Sequence, residues 1–157
     1  MTCTRRNFLK AAAVGATGLL VSRPAFAGAL FNAPIAITVY KTPTCGCCKE
    51  WVAHLAKNGF APKAHDLDDL SETKTTLGVP AALQSCHTAV IGRYVIEGHV
   101  PADLIKKLIA AKPTNIAGLA VPGMPAGSPG MEMGGRKDPY EVFAFTRDGK
   151  RSVYARR

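Results

Sequence analysis

The chain lacks the roughly 20 consecutive apolar residues that a membrane-spanning helix requires. Its apolar run from Ala11 to Val21 ends after 11 residues, and no second span follows. Acids are scarce, with 11 Asp and Glu against 20 Lys and Arg in 157 residues, for a net charge of +9. The cations are dispersed, at Lys106-Lys107, Arg136-Lys137 and the tail residues Arg151, Arg156 and Arg157. No dense basic patch interleaved with aromatics forms, which excludes nucleic acid as the natural partner. No internal repeat is evident.

The first 27 residues are not read as part of the fold. MTCTRRNFLKAAAVGATGLLVSRPAFA has a basic start, a short apolar run and a small-residue exit at Ala25-Phe26-Ala27, the anatomy of a signal peptide. Arg5-Arg6 within TRRNFLK resembles the twin-arginine export signal, and no lipoprotein-type cysteine stands at the exit. The expectation is a periplasmic protein with no membrane insertion after signal removal, a single domain over residues 28–157. Removal of residues 1–27 takes away Arg5, Arg6, Lys10 and Arg23 and no acid, lowering the charge to +5 from the +9 of the whole chain.

IAITVYK (35–41) alternates apolar residues and is rich in β-branched types, predicting a strand. From Cys47 the period changes: Cys48, Trp51, Val52 and Leu55 recur at helical spacing until Asn58-Gly59, leaving His54 off the stripe and facing solvent. A second strand is expected over 62–67, then one or two short helical pieces in DLSETKTTLGVPAALQS. HTAVIGRYVIEGH predicts a hairpin about Gly92-Arg93, and VPADLIKKLIAAKP a helix with Pro101 at its first position. GLAVPGMPAGSPGMEMGGRKDP is dense in Gly and Pro and reads as an irregular loop, followed by a hairpin turning at Asp148-Gly149. This order resembles the thioredoxin-like α/β class, a sandwich with a cysteine-bearing strand–helix turn, to which a Gly/Pro/Met loop and a C-terminal β-hairpin are added. That class places a cis-proline at the start of its third strand. Here Val79-Pro80 comes too early, so Pro80 opens a short helix, and the position facing the first cysteines falls near Ser85-Cys86-His87.

Loss of Cys3 with the signal leaves Cys45, Cys47, Cys48 and Cys86. An even count in an oxidising compartment first suggests disulfides. Three cysteines in one turn are a poor staple, however, because loop-closure stabilisation grows with loop length. Cys45 and Cys48 have the spacing of thiol–disulfide exchange, and a helix beginning there favours thiolate, with Lys41 and Lys49 nearby. A third thiol invites mispairing in a redox pair but gains ligands for a metal. Cys86-His87, His99 and the loop methionines Met124, Met131 and Met133 complete the inventory. Thiolate, thioether and imidazole together suit Cu(I). A closed zinc knuckle would show two spaced ligand pairs instead and has little use for thioethers. Met124 and Met131 share a Gly-Met turn and rank above Met133; His65 is left on the surface.

YKTPTCGCCKEWVAHL, GVPAALQSCHTAVIGRYVIEGHVPADLIKKLI and GLAVPGMPAGSPGME together resemble a family of small exported bacterial metal-binding proteins linked to copper resistance under the name CopG. The resemblance implies a thioredoxin-like fold with a copper site and a role in periplasmic copper handling, with Cu(I)/Cu(II) redox change. It makes Cys45, Cys47, Cys48 and Cys86 the metal-binding cysteines, with His87, His99, Met124 and Met131 matching the motifs. The expected function is to hold more than one Cu(I) in a thiolate-bridged site, with other periplasmic copper-handling or efflux proteins as partners. The competing expectation is a thiol–disulfide oxidoreductase using Cys45 and Cys48.

Overall fold

The computed structural model describes residues 33–132 and 134–157. The expected signal segment (1–27), its Arg5-Arg6 pair and Cys3, and Met133, lie outside the described residues. The chain is mixed α/β, as its alternating periods predict. Its elements are β1 (Ile35–Lys41), α1 (Gly46–Lys57), β2 (Phe60–Asp66), α2 (Ser71–Thr76), β3 (His87–Ile91), β4 (Tyr94–Gly98), α3 (Ala102–Ala111), β5 (Gly118–Val121), β6 (Glu141–Phe145) and β7 (Arg151–Arg156). All seven strands join one sheet in the order β2-β1-β3-β4-β5-β6-β7.

Two parallel pairings, β1 with β2 and β4 with β5, require crossovers, which α1 and α3 supply. The remaining neighbours are antiparallel. Gly92 opens the β3–β4 turn at φ 55°, a left-handed conformation suited to a two-residue hairpin. Helices α1 and α3 bury Trp51, Leu55, Ile105 and Leu108 against Val39, Ala89, Ile96 and Leu119 of the sheet. Along β4 and β5 the alternate residues Val95 and Ala120 turn to the other face, where Val79, Leu83 and Phe145 cover them. Pro80 precedes a 3-10 turn at Ala81–Leu83, as expected, and no cis peptide bond occurs among the described residues. Among those residues no helix is long and apolar enough to cross a membrane.

The loop expected from Gly118 onward is in part a strand. Gly118–Val121 is wholly buried and lies between β4 and β6. Gly118, first of the glycines that made the stretch read as a loop, serves close approach instead, because a Cβ there would run into the Val95 carbonyl and the Phe145 ring. Pro101 also sits one position earlier than expected, as the N-cap of α3. The later loop and the C-terminal hairpin form as predicted, with a bulge at Val142/Phe143.

The pairings set the polarity of the site. Lys41 at the end of β1 lies opposite His87 at the start of β3, and Thr88 opposite Glu97 near the end of β4. The turn after β1, the residue before β3 and the residue after β4 therefore meet at one end of the sheet. Cys45, Cys86 and His99 occupy these three places.

Replacing Gly118 with Ala should lower stability by about 3 kcal/mol through overpacking against backbone that cannot move aside. A denaturant midpoint equal to that of the unsubstituted protein would contradict the packing just described.

Candidate metal centre

Cys45 is the N-cap of α1, and its Sγ accepts from the Cys48 backbone N–H at 3.2 Å. Cys45 and Cys48 are joined in a disulfide with Cα atoms 5.3 Å apart, whereas Cys47 and Cys86 are free thiols. Cys47 Sγ lies 3.6 Å from Cys45 Sγ, and Cys48 Sγ 3.8 Å from the Cys86 carbonyl oxygen. Lys41, expected to favour thiolate here, directs its ammonium to Asp66 at 2.5 Å and to the Thr42 carbonyl at 3.3 Å.

Cys86 connects this turn to two imidazoles. Its Sγ lies 3.2 Å from His87 Nδ1 and 3.1 Å from His99 Nε2. Cys45, Cys47, Cys48 and Cys86 can present ligand atoms within 4.8 Å of one another, and so can Cys86, His87 and His99. Cys86 is common to both groups. His87 is fully buried, its ring 4.4 Å from that of Trp51 and 4.9 Å from that of His99, in an edge-on arrangement with the latter.

Burial governs the protonation of this cluster. The Cys86 thiol is pushed up to about 12, first by burial and then by neighbouring Cys47. His87 is held well below the usual imidazole range by burial, reinforced by the charges of His99 and Lys74. His87 Nε2 is buried without a hydrogen-bond partner; the Gly98 carbonyl, which favours the protonated ring, does not reach hydrogen-bonding geometry. His99 is lowered chiefly by burial, against the opposing pull of the Pro129 carbonyl and Glu132. Neutral imidazoles with available lone pairs beside soft sulfurs are the donor set a thiophilic metal needs. A metal would have to displace the Cys86 proton, so binding there releases acid.

The Gly/Pro loop covers the cluster. A Cβ on Gly130 would lie 2.7 Å from Trp51 N and 2.8 Å from the Cys47 carbonyl, so the loop backbone rests directly on α1. His99 Nδ1 lies 2.8 Å from the Pro129 carbonyl oxygen, and Gly130 N–H donates to Glu132 Oε2 at 2.6 Å. The structure thus gathers Cys45, Cys47, Cys48, Cys86, His87 and His99 at one place. Met124 and Met131 ride on the covering loop, Met124 exposed at 42% and Met131 half-buried. Met133 is outside the described residues.

Three features escape the sequence pattern. His54 does not face solvent: α1 and α3 pack together, and its Nε2 accepts from Ala102 N–H at 3.3 Å, capping a helix whose own N-cap, Pro101, has no side-chain bond to offer. Lys74, on the otherwise polar α2, turns inward to Glu97 at 2.5 Å. Glu97 also accepts from Ser85 N–H and Thr88 Oγ1, both at 2.6 Å, and so ties down the backbone beside Cys86. The one signal for it was an acid within the apolar run YVIEG. His65 is exposed, as expected.

Residues 83–131 match a family model described as "Protein of unknown function, DUF411". Two solved structures are similar over 79% of this chain and 98% of theirs. They are "Copper resistance protein copG- Form 2", with 50% identity and a TM-score of 0.75, and "Copper resistance protein copG- Form 1", with 51% and 0.74. A comparison with curated proteins finds no match.

Two outcomes follow from the buried groups. Lys74→Met leaves Glu97 buried without its cation and should cost about 3–5 kcal/mol, whereas Lys74→Met with Glu97→Gln removes both charges and should recover most of the loss. Equal destabilisation of the single and double variants in denaturant would refute the pairing.

The second outcome concerns pH. His54, His87 and His99 all titrate below their unfolded value of about 6.5, because burial disfavours the cation. Unfolding therefore takes up protons in this range. The contribution to stability is complete above about pH 6.5 and is lost as pH falls through the lowered folded values. Melting temperatures of the metal-free protein should decline between about pH 7 and about pH 5; a flat profile would contradict the buried neutral imidazoles.

Proposed function

The chain belongs to the family of the copper resistance protein CopG, and on that premise we propose that it holds copper in the periplasm as Cu(I) in a thiolate-bridged site. The observation that carries the proposal is the position of Cys86, a member of both the four-cysteine group and the Cys–His–His group. A shared thiolate is suited to bridging two soft cations, so the site takes more than one ion. Copper here is cargo. Cys45, Cys47, Cys48 and Cys86 bind it by sulfur and His87 and His99 by nitrogen, while Met124 and Met131 offer thioethers from the covering loop. The strand order β2-β1-β3-β4, with Cys86 immediately before β3, supports the thioredoxin-like reading of this core. Twin-arginine export would let the cysteine turn fold in a reducing space.

The Cys45–Cys48 disulfide gives the site two oxidation levels. Reduction takes up two electrons and two protons and yields two thiols, which lose those protons on binding copper. Occupancy is thereby linked to thiol redox state and, through the same sulfurs, to the Cu(I)/Cu(II) couple. The disulfide also favours a second reading, a thiol–disulfide oxidoreductase in which half-buried Cys45 is attacked and fully buried Cys48 leaves. Copper-handling or efflux proteins are the partners of the first reading; disulfide-bearing proteins are those of the second.

Anaerobic titration of the fully reduced protein with Cu(I), against a competing chromophoric chelator, separates the two. More than one tightly held Cu(I) per chain is expected, with most uptake lost when Cys45, Cys47 and Cys48 are all changed to Ser. Unchanged uptake in that variant would sink the copper reading. Efficient disulfide reduction, abolished by Cys45→Ser in a protein that takes up no copper, would install the second.

A further inference from the structure

His99 binds through one ring nitrogen only if the proton sits on the other, and the covering loop decides which. His99 Nδ1 lies 2.8 Å from the Pro129 carbonyl oxygen, an atom that can only accept. In the neutral ring, Nδ1 therefore carries the proton and Nε2 is bare. That bare nitrogen is the one 3.1 Å from Cys86 Sγ. With Nε2 as acceptor, the Cys86 thiol donates to it, so a single loop carbonyl orders both protons. An imidazole free in water favours the opposite tautomer, with the proton on Nε2, which would point N–H at the sulfur and leave no lone pair there for a metal.

The carbonyl is held from both sides of its own peptide unit. Its oxygen meets His99, and the N–H of the same unit, on Gly130, donates to Glu132 Oε2 at 2.6 Å. Gly130 stands at φ 85°, in the left-handed region, and its missing Cβ leaves room for Trp51 N and the Cys47 carbonyl. His99 is fixed in turn: Trp51 Nε1 donates to the Val100 carbonyl at 3.0 Å, and Gly98 on its other side has Ser85 at 2.7 Å from where a Cβ would be.

We propose that Gly130 and Glu132 are positioning residues that seat the Pro129 carbonyl on His99 Nδ1, selecting the tautomer that presents Nε2 to the metal cluster. For its consequence in metal affinity the inference rests on the copper reading above; the tautomer itself does not. A carbonyl that accepts from the far nitrogen of a ligating imidazole both orients the ring and raises its basicity, and losing such a partner typically lowers metal affinity by about 10–100-fold.

The test is a long-range 1H–15N correlation spectrum of the histidine rings in the full-length, metal-free protein, with a parallel Cu(I) competition titration. The unsubstituted protein should show His99 protonated at Nδ1. Glu132→Ala and Gly130→Ala should move His99 toward the Nε2-protonated form and weaken Cu(I) by about tenfold or more. Glu132→Gln, whose amide oxygen still accepts from Gly130 N–H, should retain the original tautomer and most of the affinity. An Nε2-protonated His99 in the unsubstituted protein would overturn the proposal, even if Gly130→Ala failed to fold. So would Glu132→Ala that left both tautomer and affinity unchanged. If the unsubstituted protein took up no copper while the tautomer pattern held, the copper reading alone would fail.

Discussion

The register between β1 and β3 is the constraint on which the site depends. Lys41 faces His87, and the antiparallel pairing runs from there back to Thr38 and Val90. Side chains alternate across a sheet, so a slip of one residue would exchange the faces of Cys86 and His87 and carry the imidazole away from Trp51. The same register leaves Cys86 just outside the ladder, where its side chain is free to meet the α1 turn. Three neighbouring contacts hold this end of the sheet. Lys41 bonds across to Asp66 on β2, Trp51 Nε1 reaches the Val100 carbonyl, and Glu97 secures Ser85. Each lies next to a potential ligand without being one.

Burial gives these candidate ligands their character. A half-buried thiol pushed up to about 12 and two imidazoles pushed down favour an uncharged Cys86–His87–His99 group when no metal is bound. An uncharged cluster can sit against an apolar core at modest cost, whereas unpaired ions could not. The nearby exception is the Lys74–Glu97 pair, tied into hydrogen bonds with Thr88 and Ser85. A cationic metal reverses the balance: it favours the thiolates that burial penalises and takes the lone pairs that burial has kept free of protons. The environment that resists ionisation in the empty site is therefore compatible with tight binding once a metal enters.

Much of this was legible from local pattern. The 3- and 4-residue recurrence of Cys48, Trp51 and Leu55 marks the buried stripe of α1, and all three are fully buried. The hairpins at Gly92-Arg93 and Asp148-Gly149 follow from turn chemistry. Ligand chemistry, helical pattern and the family resemblance together singled out the cysteines and histidines that the fold gathers. What was illegible is non-local. Gly118 looks the same in sequence whether it bends the chain or admits a neighbouring carbonyl. His54 is off the apolar stripe of its own helix, and only the packing of α3 beside α1 gives it a partner. Lys74 and Glu97 are 23 residues apart, so neither announces the other. The Pro129 carbonyl could not be read at all, since a backbone atom has no sequence signature.

The division of the site between two stretches of chain gives each a distinct task. Residues 83–131, the span of the family model, contain Cys86, His87, His99, both Gly-Met turns and the loop carbonyl that meets His99. The remaining cysteines come from the α1 turn, outside that span. The first stretch keeps its donors when Cys45 and Cys48 are bridged, because Cys86 is then a free thiol. The α1 turn does not, because forming the Cys45–Cys48 bridge withdraws two of its three sulfurs. The bridge thus leaves Cys47, Cys86, His87 and His99 in place while halving the free sulfurs of the four-cysteine group. Oxidation of the α1 turn therefore removes candidate donors from one stretch and leaves those of the other unchanged.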